Sequence, residues 1–333
     1  MWVQARANAN IALVKYWGKG DRALNLPLAG SLSVTLAPLT STARVRWGHV
    51  AEDCFTLDGK LVAPVPQGVV RLLREVRNLT GCAGAIEIQS RNDFPTAAGL
   101  ASSASGMAAL AAALSASLGL ALRGEELSRL ARLGSGSACR SVWGGFAEWL
   151  PGHRGDGRDS HAVQLAPPGY WPMRVLVVVV DDRQKVCSSS EGMARCQASS
   201  PFMGAFAAQV PADLTAARRA LVERDWEALG RVTERSTLRL HAVMAAADPP
   251  LIYLQATSWA VMERAWVLRA AGTPLFCTAD AGPNVKIFCA PEAAETVKAD
   301  LGHHFPSLRV IEAEPGPGAE VVPDIEGPGS LKP

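Results

Sequence analysis

The stretch FPTAAGLASSASG, residues 94–106, decides how the chain is read. Pro95 and Gly99 break the β-like run AIEIQS before it (85–90). Ser102, Ser103 and Ser105 lead into MAALAAALSASL (107–118), an unbroken helix former. A Gly/Ser loop feeding straight into a helix presents unpaired backbone N–H groups and the positive end of the helix dipole. Both favour a phosphate, and the serine hydroxyls add donors or metal ligands. The plainer reading is an N-cap, since Ser and Thr cap helices everywhere. Three serines beside a Gly turn and an Ala-packed helix favour the anion site.

Outward from this junction, the N-terminal side reads as antiparallel strands. NIALVKYW (10–17) is β-rich, GKGDRALNLPLAG (18–30) is a punctuated loop, and SLSVTLAPL (31–39) and residues 42–47 alternate. Asn10, Lys15 and Lys19 are threaded through and just after the first strand, where a wet outer face is the plain expectation. A turn at LDGK (57–60) precedes the helix VVRLLREVRNL (69–79), whose Arg71, Arg74 and Arg77 share roughly one face. Such a stripe is usually just solvated.

On the C-terminal side, a second helix within 123–152 ends at Gly134 and opens GSGSACR (134–140), with Ser135, Ser137 and Arg140 inside seven positions. A plain connector is possible there, but an arginine just inside it suits a carboxylate or phosphate, because the planar guanidinium binds two oxygens at once. Residues 151–172 are rich in Gly, Pro and Asp and are the expected domain boundary. Beyond them come the strand MRVLVVVV (173–180), the polar loop QKVCSSSEGM (184–193) and helical patterns at 213–224, 226–240 and 251–271. TPLFCTADAGPNVKIFCA (273–290) gives strand, turn and strand, and 316–329 one short strand and a loose tail.

Composition bounds the function. At 333 residues the chain is long enough for two domains, and 48% hydrophobic with 19% charged residues places it among soluble globular chains. A formal charge of +2 provides no global field for nucleic acid or a membrane surface, so an anionic ligand must be held by local geometry. Seven cysteines without CxxC spacing argue against a zinc site or a disulfide framework and fit a reducing cytosol, hence a cytoplasmic location. The N-terminus lacks the apolar core of a signal peptide, and the longest apolar run, 175–180, is far short of a membrane helix.

Asp280 sits in TADAGPN (278–284), where a strand breaks. A carboxylate there is either held rigidly beside substrate or closes an Asx-turn on its own backbone. His241, near a helix end, reads as structural rather than as a base. Lys15, Arg140 and Asp280 come from three distant segments, and spacing does not bring them together.

The segments NIALVKYWGK, FPTAAGLASSASG, RLGSGSACRSVWGGFAEW and TADAGPNVKI, in this order, resemble those of mevalonate diphosphate decarboxylases in the GHMP kinase superfamily. The likeness runs through nearly the whole chain, including SLSVTL, SSSEGM and LHAVMAAADPP. It implies an α+β, GHMP kinase-like two-domain fold: an N-terminal α/β domain (1–171) with a left-handed-type β-α-β nucleotide loop, and a ferredoxin-like C-terminal domain (172–333) carrying Asp280. The active site would lie in the cleft, in a homodimer. The implied reaction turns ATP and mevalonate 5-diphosphate into isopentenyl diphosphate, CO2, ADP and phosphate with Mg2+. By resemblance Asp280 acts on the tertiary 3-hydroxyl, Arg140 grips the C1 carboxylate, and Lys15 sits near the travelling phosphoryl group. Ser103, with Ser102, orients ATP phosphates and Mg2+. Asn10, Tyr16, Trp17, Lys19, Ser135, Ser137 and Ser189 contact substrate, and Pro95, Ala98, Gly99, Leu100, Ala101 and Ser105 complete the ATP loop.

The chain departs from the family pattern where the 5-diphosphate should bind. Relatives carry an arginine at one of two positions that here correspond to Gly68 and Ser190. Arg74, Arg77 and Arg195 are the candidates to compensate. A mevalonate 5-phosphate decarboxylase and a mevalonate 3-kinase are therefore the alternatives at this point.

Overall fold

The computed structural model describes residues 1–94, 102–183 and 187–323. The N-terminal half runs through β1 (Val3–Val14), β2 (Lys19–Asp21), β3 (Leu26–Pro27), β4 (Ser31–Trp47), β5 (Cys54–Leu57), β6 (Lys60–Leu61) and α1 (Gln67–Thr80). It continues with β7 (Ile86–Asn92), α2 (Ser102–Ser117), α3 (Gly124–Gly134), the one-turn α4 (Ala138–Ser141), β8 (Phe146–Leu150) and β9 (His161–Ala166). The C-terminal half holds β10 (Arg174–Val179), α5 (Ser189–Ser199), α6 (Met203–Glu223), α7 (Trp226–Ala245) and α8 (Ala256–Ala270). It closes with β11 (Leu275–Ala279), β12 (Val285–Cys289), α9 (Ala294–His304), β13 (Arg309–Pro315) and β14 (Glu320–Val322).

β4 is the hub of the sheet. One edge pairs antiparallel with β1; the other pairs in succession with β8, β13 and β7. The junction with β13, at Glu314↔Ala37 and Pro315↔Leu36, makes the strands of both halves one 12-stranded sheet among the described residues. β14 then returns to pair with β1, so the last strand among the described residues belongs to the N-terminal half.

α2 is buried at every position from Ala108 to Ser115, which only a run of small side chains permits, and it lies against β1 and β4 beneath α1, α3 and α4. In β10, Val175 and Val177 enter one core with α6 and α7, while Leu176 and Val178 enter another with α8 and α9. Burial on both faces accounts for the unbroken apolar run. Gly68 fixes how α1 meets α3: a Cβ there would lie 2.4 Å from the Gly134 carbonyl oxygen. Gly68→Ala is expected to cost about 1–3 kcal/mol by forcing these helices apart, measurable by urea denaturation.

Four segments carry structure the sequence reading did not assign to them. The expected boundary 151–172 contains β9, which pairs with β8. α6 starts at Met203 rather than 213, with Pro211 inside it, because a helix anchored by buried Met203, Phe206 and Val210 tolerates the proline. Half of the polar loop 184–193 is the first turn of α5, closed by a capping box between Ser188 and Glu191. β13 lies just before the stretch read as one short strand and a loose tail, and its partners β10 and β4 are distant in sequence.

Candidate active site

A cleft of about 820 Å³ opens where the two halves meet. Lys15 directly follows β1, Arg140 lies on α4, and Asp280 directly follows β11. Lys15 Nζ donates to Asp280 Oδ1 at 2.6 Å and to the Ala12 carbonyl at 2.8 Å. The other carboxylate oxygen, Oδ2, faces Lys286 Nζ at 3.4 Å. Lys15 and Lys286 are buried, whereas Asp280 keeps 24% of its side chain accessible and lines the cleft. The wet face expected for Asn10 and Lys15 is overturned: both are buried, because β1 is covered on both sides. The Asx-turn expectation is likewise replaced by an ion pair.

Burial pushes the Asp280 carboxyl up, but the ammonium groups of Lys15 and then Lys286 outweigh it and hold it well below the usual carboxylate range. Desolvation lowers Lys15 to about 8, since Asp280 offsets only part of the cost and Lys286 and Arg140 add repulsion. His241 is pushed down to about 4 by burial and by Lys15, and it hydrogen-bonds the Ala279 backbone. It is uncharged near neutral pH, and its bond to Ala279 ties α7 to β11.

Arg140 is only 2% exposed, and its hydrogen-bond partners are neutral oxygens. Nε donates to Ser33 Oγ at 2.9 Å, Nη1 to Ser31 Oγ, and Nη2 to Asn10 Oδ1 at 3.1 Å. Asn10 is held in turn, donating to Ser141 Oγ at 2.8 Å and to the Ser137 carbonyl at 3.0 Å. A buried guanidinium with no ion-pair partner among the described residues, lining a cleft with donors to spare, is built for an incoming anion.

Ser135, Ser137, Tyr16, Trp17, Lys19 and Ser189 line the same cleft. The Tyr16 hydroxyl is buried without a partner among the described residues, leaving it to a ligand oxygen. Gly136 is needed beneath it, since a Cβ would sit 2.8 Å from that hydroxyl and 2.9 Å from the Trp149 ring. Ser102 and Ser103, at the start of α2, line the cleft as well. Ser105 does not: one turn further on, it is buried against Ser41 Oγ at 2.7 Å, so it is a packing serine. Pro95, Ala98, Gly99, Leu100 and Ala101 lie outside the described residues. Among the described residues, no group of three or more His, Cys, Asp or Glu could hold a metal ion.

Lys286 was missed. Its one signal is a lone lysine in the strand VKIFC, six residues after Asp280, at a position that is 0% exposed. The three arginines expected to compensate at the phosphate end do not line the cleft. Arg77 forms a two-pronged pair with Asp53, Arg74 lines a separate recess with it, and Arg195 reaches the Pro249 carbonyl at 3.4 Å.

Two family models cover most of the chain: the diphosphomevalonate decarboxylase-like N-terminal domain over residues 7–162, and the mevalonate 5-diphosphate decarboxylase C-terminal domain over 175–319. Human diphosphomevalonate decarboxylase is 37% identical over 95% of this chain and 85% of its own length. The solved mevalonate diphosphate decarboxylase of Staphylococcus aureus superposes with a TM-score of 0.91 at 38% identity, covering 97% of this chain and 98% of that one. A solved complex described as MDDEF with MVAPP, AMPPCP and magnesium gives 0.90 at 40% identity, covering 97% and 99%. Among the described residues, no helix is long and apolar enough to cross a membrane.

Proposed function

The chain belongs to the diphosphomevalonate decarboxylase family, and we propose from that premise what each cleft residue does. The reaction is the ATP-dependent decarboxylation of mevalonate 5-diphosphate to isopentenyl diphosphate, with CO2, ADP and phosphate released and Mg2+ required. The α+β fold is that of the family's solved structures. The division into residues 1–171 and 172–333 is supported by the limits of the two family models.

A tertiary alcohol is a poor leaving group, so the 3-hydroxyl oxygen first takes the γ-phosphoryl group of ATP. ADP departs, and the hydroxyl proton passes through its hydrogen bond to Asp280 on to water, so Asp280 is a carboxylate again before the next bond breaks. The C3–O bond then breaks with its electron pair leaving on phosphate. The C1–C2 pair moves into a C2=C3 double bond, and C1 leaves as CO2.

A carboxylate held so far down is a weak base, and a loose phosphoryl-transfer transition state asks little of one. Asp280 therefore works chiefly by charge: it accepts the hydroxyl hydrogen bond and faces the positive charge that grows at C3. Lys15 orients Asp280 and neutralises the travelling phosphoryl group. Arg140, with Asn10 beside it, takes the C1 carboxylate; its neutral surroundings are the single observation that carries this reading. Ser135, Ser137 and the unpartnered Tyr16 hydroxyl contact substrate oxygens. Trp17 walls the cleft, and Lys19 and Ser189 serve the phosphate end. Ser102 and Ser103 take ATP phosphates, and Ser103 would hold Mg2+, which when bound neutralises charge on the phosphate oxygens.

The test is one assay. Purified chain with Mg-ATP and mevalonate 5-diphosphate should release CO2, ADP and phosphate in equal amounts. ADP without CO2 would make it a 3-kinase, and no ADP would remove the activity altogether. The reading carries a homodimer with it, checked by light scattering.

Lys15 gives the assay a pH signature. Below about 8 it is ammonium; above, it loses the charge needed at the phosphoryl group. kcat/KM should therefore fall on the alkaline side with an apparent pKa of about 8. In kcat the limb should lie higher, because bound phosphates favour the ammonium. Lys15→Arg should remove the limb below pH 10.5, the ordinary lysine value. A limb unmoved in that variant would assign the titration elsewhere.

A further inference from the structure

We propose that Arg71 and Arg22, flanking Lys19, clamp the terminal phosphate of the substrate's diphosphate and set this chain's preference for a 5-diphosphate over a 5-monophosphate. The inference rests on the function proposed above. All three residues line the cleft, and among the described residues none has a carboxylate within ion-pairing distance. They are close to one another: burial lowers the Lys19 ammonium, and repulsion from Arg71 and then Arg22 lowers it further. Like charges gathered without a counter-charge are unfavourable until an anion arrives.

Two of the cations are held in place by one run of hydrogen bonds. Lys19 Nζ donates to Asn25 Oδ1 at 2.8 Å, Asn25 Nδ2 donates to the Leu133 carbonyl at 2.9 Å, and that same carbonyl accepts Arg71 Nε at 2.7 Å. With Nε tied back, Arg71 Nη1 has no partner among the described residues. Arg22, exposed in the turn between β2 and β3, has no hydrogen bond among them either. The nearby acids are engaged by backbone amides: Asp21 accepts from the Leu24 amide, and Glu191, which also lines the cleft, from the Ser188 amide.

The two positions expected to carry an arginine cannot supply this charge. Gly68 is closed by the Gly134 carbonyl oxygen, 2.4 Å from where a Cβ would stand. Ser190 is short, and its hydroxyl accepts from Lys19 at 3.3 Å. Arg71 lies one helical turn beyond Gly68 on the same helix. A diphosphate brings roughly one more negative charge than a monophosphate near neutrality, and a guanidinium fork can take two of its oxygens.

The test measures binding of mevalonate 5-diphosphate, mevalonate 5-phosphate and ATP by calorimetry, beside CO2 release, for wild type, Arg71→Gln, Arg71→Lys and Arg22→Gln. Arg71→Gln should weaken 5-diphosphate binding at least about tenfold, and Arg22→Gln about threefold. The diphosphate-to-monophosphate affinity ratio should fall with them, and Arg71→Lys should recover part of the loss. Equal losses for both mevalonate phosphates, a loss confined to ATP, or no loss would overturn the clamp. Arg22 is exposed, so Arg22→Gln reports even where Arg71→Gln lowers the unfolding temperature. Wild type that binds the 5-diphosphate through Arg71 without releasing CO2 would sink the proposed reaction and leave the clamp standing.

Discussion

Asp280→Asn is expected to bind mevalonate 5-diphosphate and ATP within about fivefold of wild type while losing about 10³–10⁵ in kcat. The amide keeps the shape and one acceptor oxygen but removes the negative charge that contacts Lys15 and Lys286. Lys15, already down at about 8 with its partner present, then loses its proton more readily. One substitution so deletes the anion facing C3 and weakens the cation facing the phosphoryl group. Stranding a buried charge costs about 3–5 kcal/mol, yet a lysine able to neutralise limits the damage, so the variant should still fold. CO2 release, calorimetric binding and thermal unfolding together check this. Comparable losses in affinity and rate would mark Asp280 as a structural group.

Arg140→Lys should lower kcat/KM by about 30- to 5,000-fold, the range expected when a buried charge-assisted pair loses about 2–5 kcal/mol. An ammonium cannot reproduce the fork that reaches Ser31, Ser33 and Asn10 and still offers donors to a carboxylate. Those acceptors are partly stranded, so stability falls as well. The product separates the two effects, because isopentenyl diphosphate has no C1 carboxylate. Its affinity should hold within about threefold in Arg140→Lys, while that of mevalonate 5-diphosphate falls in step with kcat/KM. If product and substrate binding fall alike, Arg140 supports the fold and not the carboxylate.

The sequence determined whatever depends on neighbours along the chain. The breakers Pro95 and Gly99, the small residues of α2, the alternation in 31–47 and the turn in TADAGPN each act over a few residues, and the motifs they frame identified the family. What it left undecided depends on groups far apart in the chain. β13 is a strand because β10 and β4 accept it. Asn10 and Lys15 read as wet polar residues until a covering layer excludes water from them. Lys286 gained a meaning only when β12 folded back beside β11 and set its ammonium against Asp280. At the phosphate end, helix packing closed position 68 and left Arg71 facing the cleft. Local backbone preferences are written in the sequence of each segment; charge and desolvation are set by what surrounds a side chain, and the tertiary structure alone supplies those surroundings.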